Sequence, residues 1–208
     1  MLAAALLSLL IGVSLGLLGG GGSILTVPIL IYALGVEEKS AIATSLFVVG
    51  ITSAVAAVQH ARAGNVVWRV ALIFSGAGMV GAFLGGGVAK YLPSTLLLVL
   101  FALIMLATAV AMWRGKKAPS DAPKADQPLP LPKILAEGLV VGLVTGLVGA
   151  GGGFLVVLGL ALLGGLSMQR AIGSSLVVIA LKSFAGFAGY ATHVDIDYSL
   201  AALVTGAA

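Results

Sequence analysis

The sequence predicts an all-α integral membrane protein built from two homologous repeats, and three observations carry that prediction. Hydrophobic residues make up 60% of the chain and charged residues 9%, whereas roughly a quarter of a soluble domain is charged. Apolar stretches at 2–34, 40–61, 66–89, 94–113, 134–165 and 171–190 each reach or exceed the roughly 17–25 residues a bilayer crossing needs. Residues 12–77 also lie on residues 142–207 at a constant shift of 130 positions without a gap. About 20 of about 66 aligned positions are identical, including Gly35/Gly165, Ala41/Ala171, Ser45/Ser175 and Ser53/Ser183, more than shared apolar composition produces.

Each element follows from this frame. The first apolar stretch is interrupted by GLLGGGGSILTVP at 16–28, and its counterpart reads GLVGAGGGFLVVL at 146–158. Such a glycine-broken element forms either one kinked crossing or two half-helices that enter and leave on one side. About three transmembrane helices follow it in the first repeat, 1–114. Residues 115–132, GKKAPSDAPKADQPLPLP, are the one polar, Pro-rich stretch and read as a linker, because this composition cannot bury enough apolar surface to order itself. The second repeat, 133–208, shows two apolar stretches and the start of another at Ile196. The first repeat continues from Gly78 through another whole span to Trp113, so the duplication predicts that about 36 residues after Ala208, including a last helix, belong to the native fold.

Charge sets the topology. Arg62, Arg69, Arg114, Lys116, Lys117, Lys124 and Lys133 sit in the second and fourth connections, against Lys39 and Lys90 in the first and third. Short basic loops stay in the cytoplasm, which places the linker there. The connection matching Arg62 and Arg69 carries Thr192 and Ser199 instead, with His193, Asp195 and Asp197 nearby. That loss of basic residues favours inverted over parallel repeats, with a re-entrant first element in each. The net charge of +4 is dispersed over span ends, so topology explains it and nucleic acid is not an expected partner. The expected partners are the lipid bilayer and a small anion; a homo-oligomer is compatible with the sequence. The chain has no cysteine and two histidines, which leaves no thiolate metal site and no call for a cofactor.

Several residues are candidates for a substrate site. Gly19, Gly20, Gly21 and Gly22 are a poor helix interior, each costing about 1 kcal/mol relative to Ala, and irregular backbone at membrane depth is tolerated where it lines a cavity. Half-helices starting at Ser23 and Gly153 would aim free N–H groups and positive dipole ends at the breaks and bind an anion. Gly149, Gly151 and Gly152 would contribute in the second copy, and Ser23 and Thr26 add hydroxyls. The alternative is that the glycines only let helices pack closely. No Gly-Lys-Ser/Thr follows either cluster, which disfavours ATP-driven transport by this chain.

Beyond each break comes a similar helix, with IATSL at 42–46 and IGSSL at 172–176. Ser45, Thr52 and Gln59 share one helical stripe, and Ser175, Lys182 and Gly189 share the matching one. Two such stripes facing each other would line a path. Lys182 is the one charged residue deep in an apolar span, a functional-site hypothesis by default and the first candidate for the substrate's counter-charge; the alternative is a stem that snorkels to the interface. His60 is a candidate proton relay or a headgroup-level residue. Without mid-span carboxylates or a nucleophile–base set, the sequence points to no enzyme.

With these residues in hand, the chain resembles the TauE/SafE sulfite exporter family in both halves. GLLGGGGSILTVPIL with IATSLF carries the resemblance in the first, and GLVGAGGGFLVVLGL with IGSSLVV in the second, where Leu158 stands in place of a proline matching Pro28. The resemblance implies a carrier of the prokaryotic inner membrane for sulfur-containing anions such as sulfite or small organosulfonates. The repeat architecture places its site between the two copies near the midplane, with alternating access by rocking of one repeat against the other. An anion channel with the same lining and a non-transporting membrane scaffold subunit are the alternatives.

Overall fold

A computed structural model describes residues 23–113, 131–149, 156–157, 160, 168–194 and 197–207. Among them all regular structure is helical. Helix α1, Ser23–Pro28, widens directly after its proline into a π-helical turn, Ile29–Ala33. Leu34 N–H donates to the Ile29 carbonyl (3.2 Å), and Gly35 closes the turn at φ +67°, a left-handed conformation that glycine adopts without strain. Helix α2, Glu38–Arg62, begins with an acidic residue and ends with His60 and Arg62, matching the helix dipole at both ends. It stops at Gly64 (φ +73°), where Asn65 N–H donates back to the His60 carbonyl.

Helices α3 (Trp68–Ala89), α4 (Ser94–Trp113), α5 (Leu131–Val148), α6 (Met168–Ala191) and α7 (Tyr198–Ala207) follow. The described start of α5 lies at Leu131, within the stretch read from sequence as linker, and Pro132 stands in its first turn, where a missing N–H costs nothing. Three of these helices, Glu38–Arg62, Trp68–Ala89 and Gln169–Ala191, are long and apolar enough to cross a membrane. Their outer faces carry exposed large apolar side chains, such as Leu72, Val80, Phe83 and Leu84 on α3, as suits a surface solvated by lipid.

Close backbone contact organises the interior. Gly138, Gly142 and Gly146 of α5 face Phe74, Gly78 and Ala82 of α3 in successive steps of four. A Cβ on Gly142 would fall on the Gly78 carbonyl oxygen, and one on Gly146 on that of Ala82. The matching steps run the same way along both helices, so α3 and α5 are parallel. Helix α6 joins the seam, with Lys182 beside Gly78 and Gly189 against Phe83 and Gly86, again in the same direction. Helices α5 and α6 therefore run parallel to each other as well.

Helix α2 crosses α6 in the opposite sense, with Leu46 at Gly186, Gly50 under the Phe184 ring and His60 at Gly173. The apolar clusters flanking this crossing are related by the sequence repeat. Leu30, Ala41 and Val48 pack with Val204 of α7, and Leu160, Ala171 and Val178 pack with Phe74 of α3. Each position in one cluster lies 130 residues from its counterpart in the other, and each cluster draws on both halves of the chain.

The seam leaves no room for side-chain atoms, which yields a sharp expectation. Gly142→Ala should cost about 1–3 kcal/mol of stability through overpacking, read as a lower melting temperature in detergent. Gly76→Ala, at a position with nothing within 4 Å of the added carbon, should be neutral or slightly stabilising.

Candidate functional site

Lys182 is fully buried on the seam face of α6, and its Nζ donates to the Thr145 hydroxyl of α5 at 3.2 Å. The position follows from the sequence: Lys182, Gly186 and Gly189 share a stripe, and the two glycines let α3 approach closely enough to enclose the lysine stem. The ammonium therefore stays at depth and does not snorkel. Among the described residues Thr145 is its one hydrogen-bond partner, and no carboxylate pairs with it there. A buried ammonium with a single neutral partner is undercompensated, a setting that favours an added anion.

The two polar stripes do not face each other. The Lys182 stripe is taken up by the glycine seam, and the face of α2 turned to α6 carries Leu46, Gly50 and His60. Ser45 is buried and donates to the Gly149 carbonyl at 3.1 Å, tying the first-copy helix to the second-copy break. Gly149 itself has φ +71° and presses against Ile42, one turn inside the start of α2. Thr52 is partly buried and donates to the Val48 carbonyl of its own helix at 2.8 Å; Ser175 does the same to Ile172 at 2.8 Å. Thr26 is buried on α1, and His60 is half-buried near the C-terminal end of α2, its Nδ1 without a partner among the described residues. Gly19, Gly20, Gly21, Gly22, Gly151, Gly152 and Gly153 lie outside the described residues, as does the side chain of Ser23.

Sequence reasoning missed three participants. Thr145 was unmarked because the first copy has Leu15 at the matching position, so no repeat signal points to it. Ser174 accepts from Val67 N–H at 2.9 Å and binds the α2–α3 connection to α6. Tyr190, fully buried, donates to the Leu147 carbonyl at 2.7 Å and fastens α6 to the end of α5. Its ring stacks on His193 with centroids 5.6 Å apart. The Lys39 ammonium donates to the Lys90 carbonyl at 3.3 Å at the same end of the bundle. Among the described residues no group of His, Cys, Asp or Glu could hold a metal ion.

Comparison with known proteins places this arrangement. The family described as Sulfite exporter TauE/SafE matches residues 4–208. The chain belongs to the TauE/SafE sulfite exporter family. A probable membrane transporter protein of Xylella fastidiosa is 38% identical over 197 residues, covering 92% of this chain and 74% of that protein. One from Methanocaldococcus jannaschii is 30% identical over 196 residues, covering 89% and 72%. YdhB of Bacillus subtilis, also a probable membrane transporter protein, is 27% identical over 197 residues, covering 94% and 80%. No solved structure matches the chain at a significant level. The TauE/SafE chain is thus a membrane protein of a transporter family, with Lys182 and its neighbours set in the described core.

Two outcomes are expected at this site. Ser45→Ala strands the buried Gly149 carbonyl and should cost about 1–3 kcal/mol, with faster hydrogen exchange at the amides around Gly149. Partial burial, then the charges of Lys90 and Lys39, hold the His193 imidazole below its ordinary value, against an opposing hydrogen bond to the Gly189 carbonyl. Its folded form resists protonation more than its unfolded form does, so acidification through the ordinary imidazole range removes stability. Lys90→Gln should raise the His193 midpoint followed by NMR.

Proposed function

We propose that this protein is a secondary carrier of small sulfur-containing anions, sulfite or an organosulfonate, that works by alternating access between two inverted repeats in a prokaryotic cell membrane. The single observation that carries the reading is Lys182: an ammonium fully buried within a membrane-length helix, held by one hydroxyl and lacking a carboxylate among the described residues. Intramembrane ionisable groups of this kind mark substrate pathways, and an anion is the ligand that completes the charge. The family description supplies the chemical class, sulfite, and close organosulfonates share its negatively charged oxygens.

The inverted arrangement draws support from the packing. Helices α2 and α6 are equivalent under the repeat and cross antiparallel, as a two-fold axis in the membrane plane requires. The exchanged clusters, Leu30–Ala41–Val48 with Val204 and Leu160–Ala171–Val178 with Phe74, obey the same operation. With the linker 115–132 in the cytoplasm, Arg62, Arg69 and Arg170 fall on its side. The relatives named as transporters come from bacteria and an archaeon, in keeping with a prokaryotic cell membrane.

Labelled-sulfite flux into proteoliposomes tests the reading, with taurine, sulfoacetate, sulfate and acetate as competitors. The expected result is saturable uptake with counterflow, reduced at least about 100-fold in kcat/KM by Lys182→Ala, and competition that ranks the substrate. Flux that rises linearly without counterflow would make the protein a channel, and absence of flux for every anion would end the carrier reading.

A further inference from the structure

The carrier reading needs hydrogen-bond donors for the anion besides Lys182, and the hydroxyl protons of the buried residues show which are free. Ser45 spends its proton on the Gly149 carbonyl, Thr52 on Val48, Ser175 on Ile172 and Thr205 on Ala201. These residues face a ligand with lone pairs, which repel an oxyanion. Three buried serines, Ser53, Ser75 and Ser183, have no hydrogen-bond partner among the described residues. Unpaired buried hydroxyls are costly in any apolar interior, because no water replaces the lost bonds.

Two of the three form a pair. Ser53 and Ser183 are identical positions of the repeat, both fully buried, whereas the counterpart of Ser75 is Thr205, which is satisfied within its own helix. Both lie on the faces by which α2 and α6 cross. Ser53 stands three residues after Gly50, which underlies Phe184, and seven before His60, which faces Gly173; positions spaced by three and seven share a helix face. Ser183 follows Ile179, packed with Val48 and Val49 of α2, by one turn and directly precedes Phe184. The two hydroxyls therefore flank one crossing from opposite helices.

Resting on the carrier reading, we infer that Ser53 and Ser183 are substrate-binding residues that donate to the oxygens of the transported oxyanion at the α2–α6 crossing. Lys182 directly precedes Ser183, and α2 and α6 carry no carboxylate between Ala41 and Gln59 or between Ala171 and Tyr190. The crossing offers donors without a carboxylate, and the Lys182 cation lies one residue away on the neighbouring, seam-facing side of α6, so the local chemistry selects a small acceptor-rich anion over a metal cation. A sulfite or sulfonate group, with several oxygens on one centre, accepts from both serines at once.

The test uses the full-length protein purified in detergent, with sulfite and sulfoacetate as probes. Binding is read by equilibrium dialysis and stability by thermal unfolding. Ser53→Ala and Ser183→Ala remove an unpaired hydroxyl, so without anion each should melt at or above the wild-type temperature. Each should weaken anion binding by about tenfold to a hundredfold, the loss expected for one hydrogen bond to a charged group, and shrink the anion-induced rise in melting temperature. A lower melting temperature without anion, together with unchanged affinity, would assign the hydroxyls a structural role and overturn the inference. Unchanged affinity in both variants while Lys182→Ala abolishes binding would also overturn it and leave the carrier reading standing. Wild-type protein that binds neither anion would overturn both.

Discussion

The constraint on which the rest of this molecule depends is the closeness of α3, α5 and α6. In a bilayer, apolar side chains gain nothing by leaving lipid for protein, so helices associate through tight packing and polar contacts. Gly78 with Gly142, and Gly86 with Gly189, bring backbones together at successive turns. That approach fixes the depth of Lys182, brings Thr145 within hydrogen-bond reach and lets Tyr190 close on the Leu147 carbonyl. The polar core is a consequence of small residues, because wider helix spacing would admit lipid or water beside the ammonium.

Around this seam the protein distributes hydroxyls unevenly. Several are consumed by backbone carbonyls, a common fate of serine and threonine inside helices. The Ser45 bond joins a helix of one repeat to Gly149 of the other, so that residue is positioned by tertiary contact as well as by its own left-handed backbone. The energetic contrast between satisfied and unsatisfied hydroxyls gives the interior its chemical direction, since a buried donor without a partner is a standing demand for an acceptor.

Much of this was legible in the sequence. Uniform apolar runs and the 130-residue shift gave the helical membrane architecture and the duplication, because span length and repeat identity are one-dimensional properties. Lys182 stood out because an isolated charge in an apolar helix needs a reason. The facing of the two polar stripes was not legible. Gly186 and Gly189 extend the Lys182 stripe, and whether glycines serve a path or a packing seam depends on what lies opposite, here Gly78 and Gly86 of another helix. Nor was the distinction between Ser45 and Ser53 legible, since both are small hydroxyls on one helix and the difference is the presence of the Gly149 carbonyl within reach of one alone. Thr145 was silent for the same reason: its value lies in a neighbour 37 residues away in sequence.

The crosswise clusters have a consequence for how the chain is made. Leu30, Ala41 and Val48 are covered by Val204, and Phe74 covers Leu160, Ala171 and Val178. When the first repeat leaves the ribosome, its own helices lack the surface that completes them, since that surface is synthesised later. The packing of that face is therefore complete only once the second half has been made. Assembly is in this sense intramolecular dimerisation, with the 115–132 segment keeping the two halves at high effective concentration.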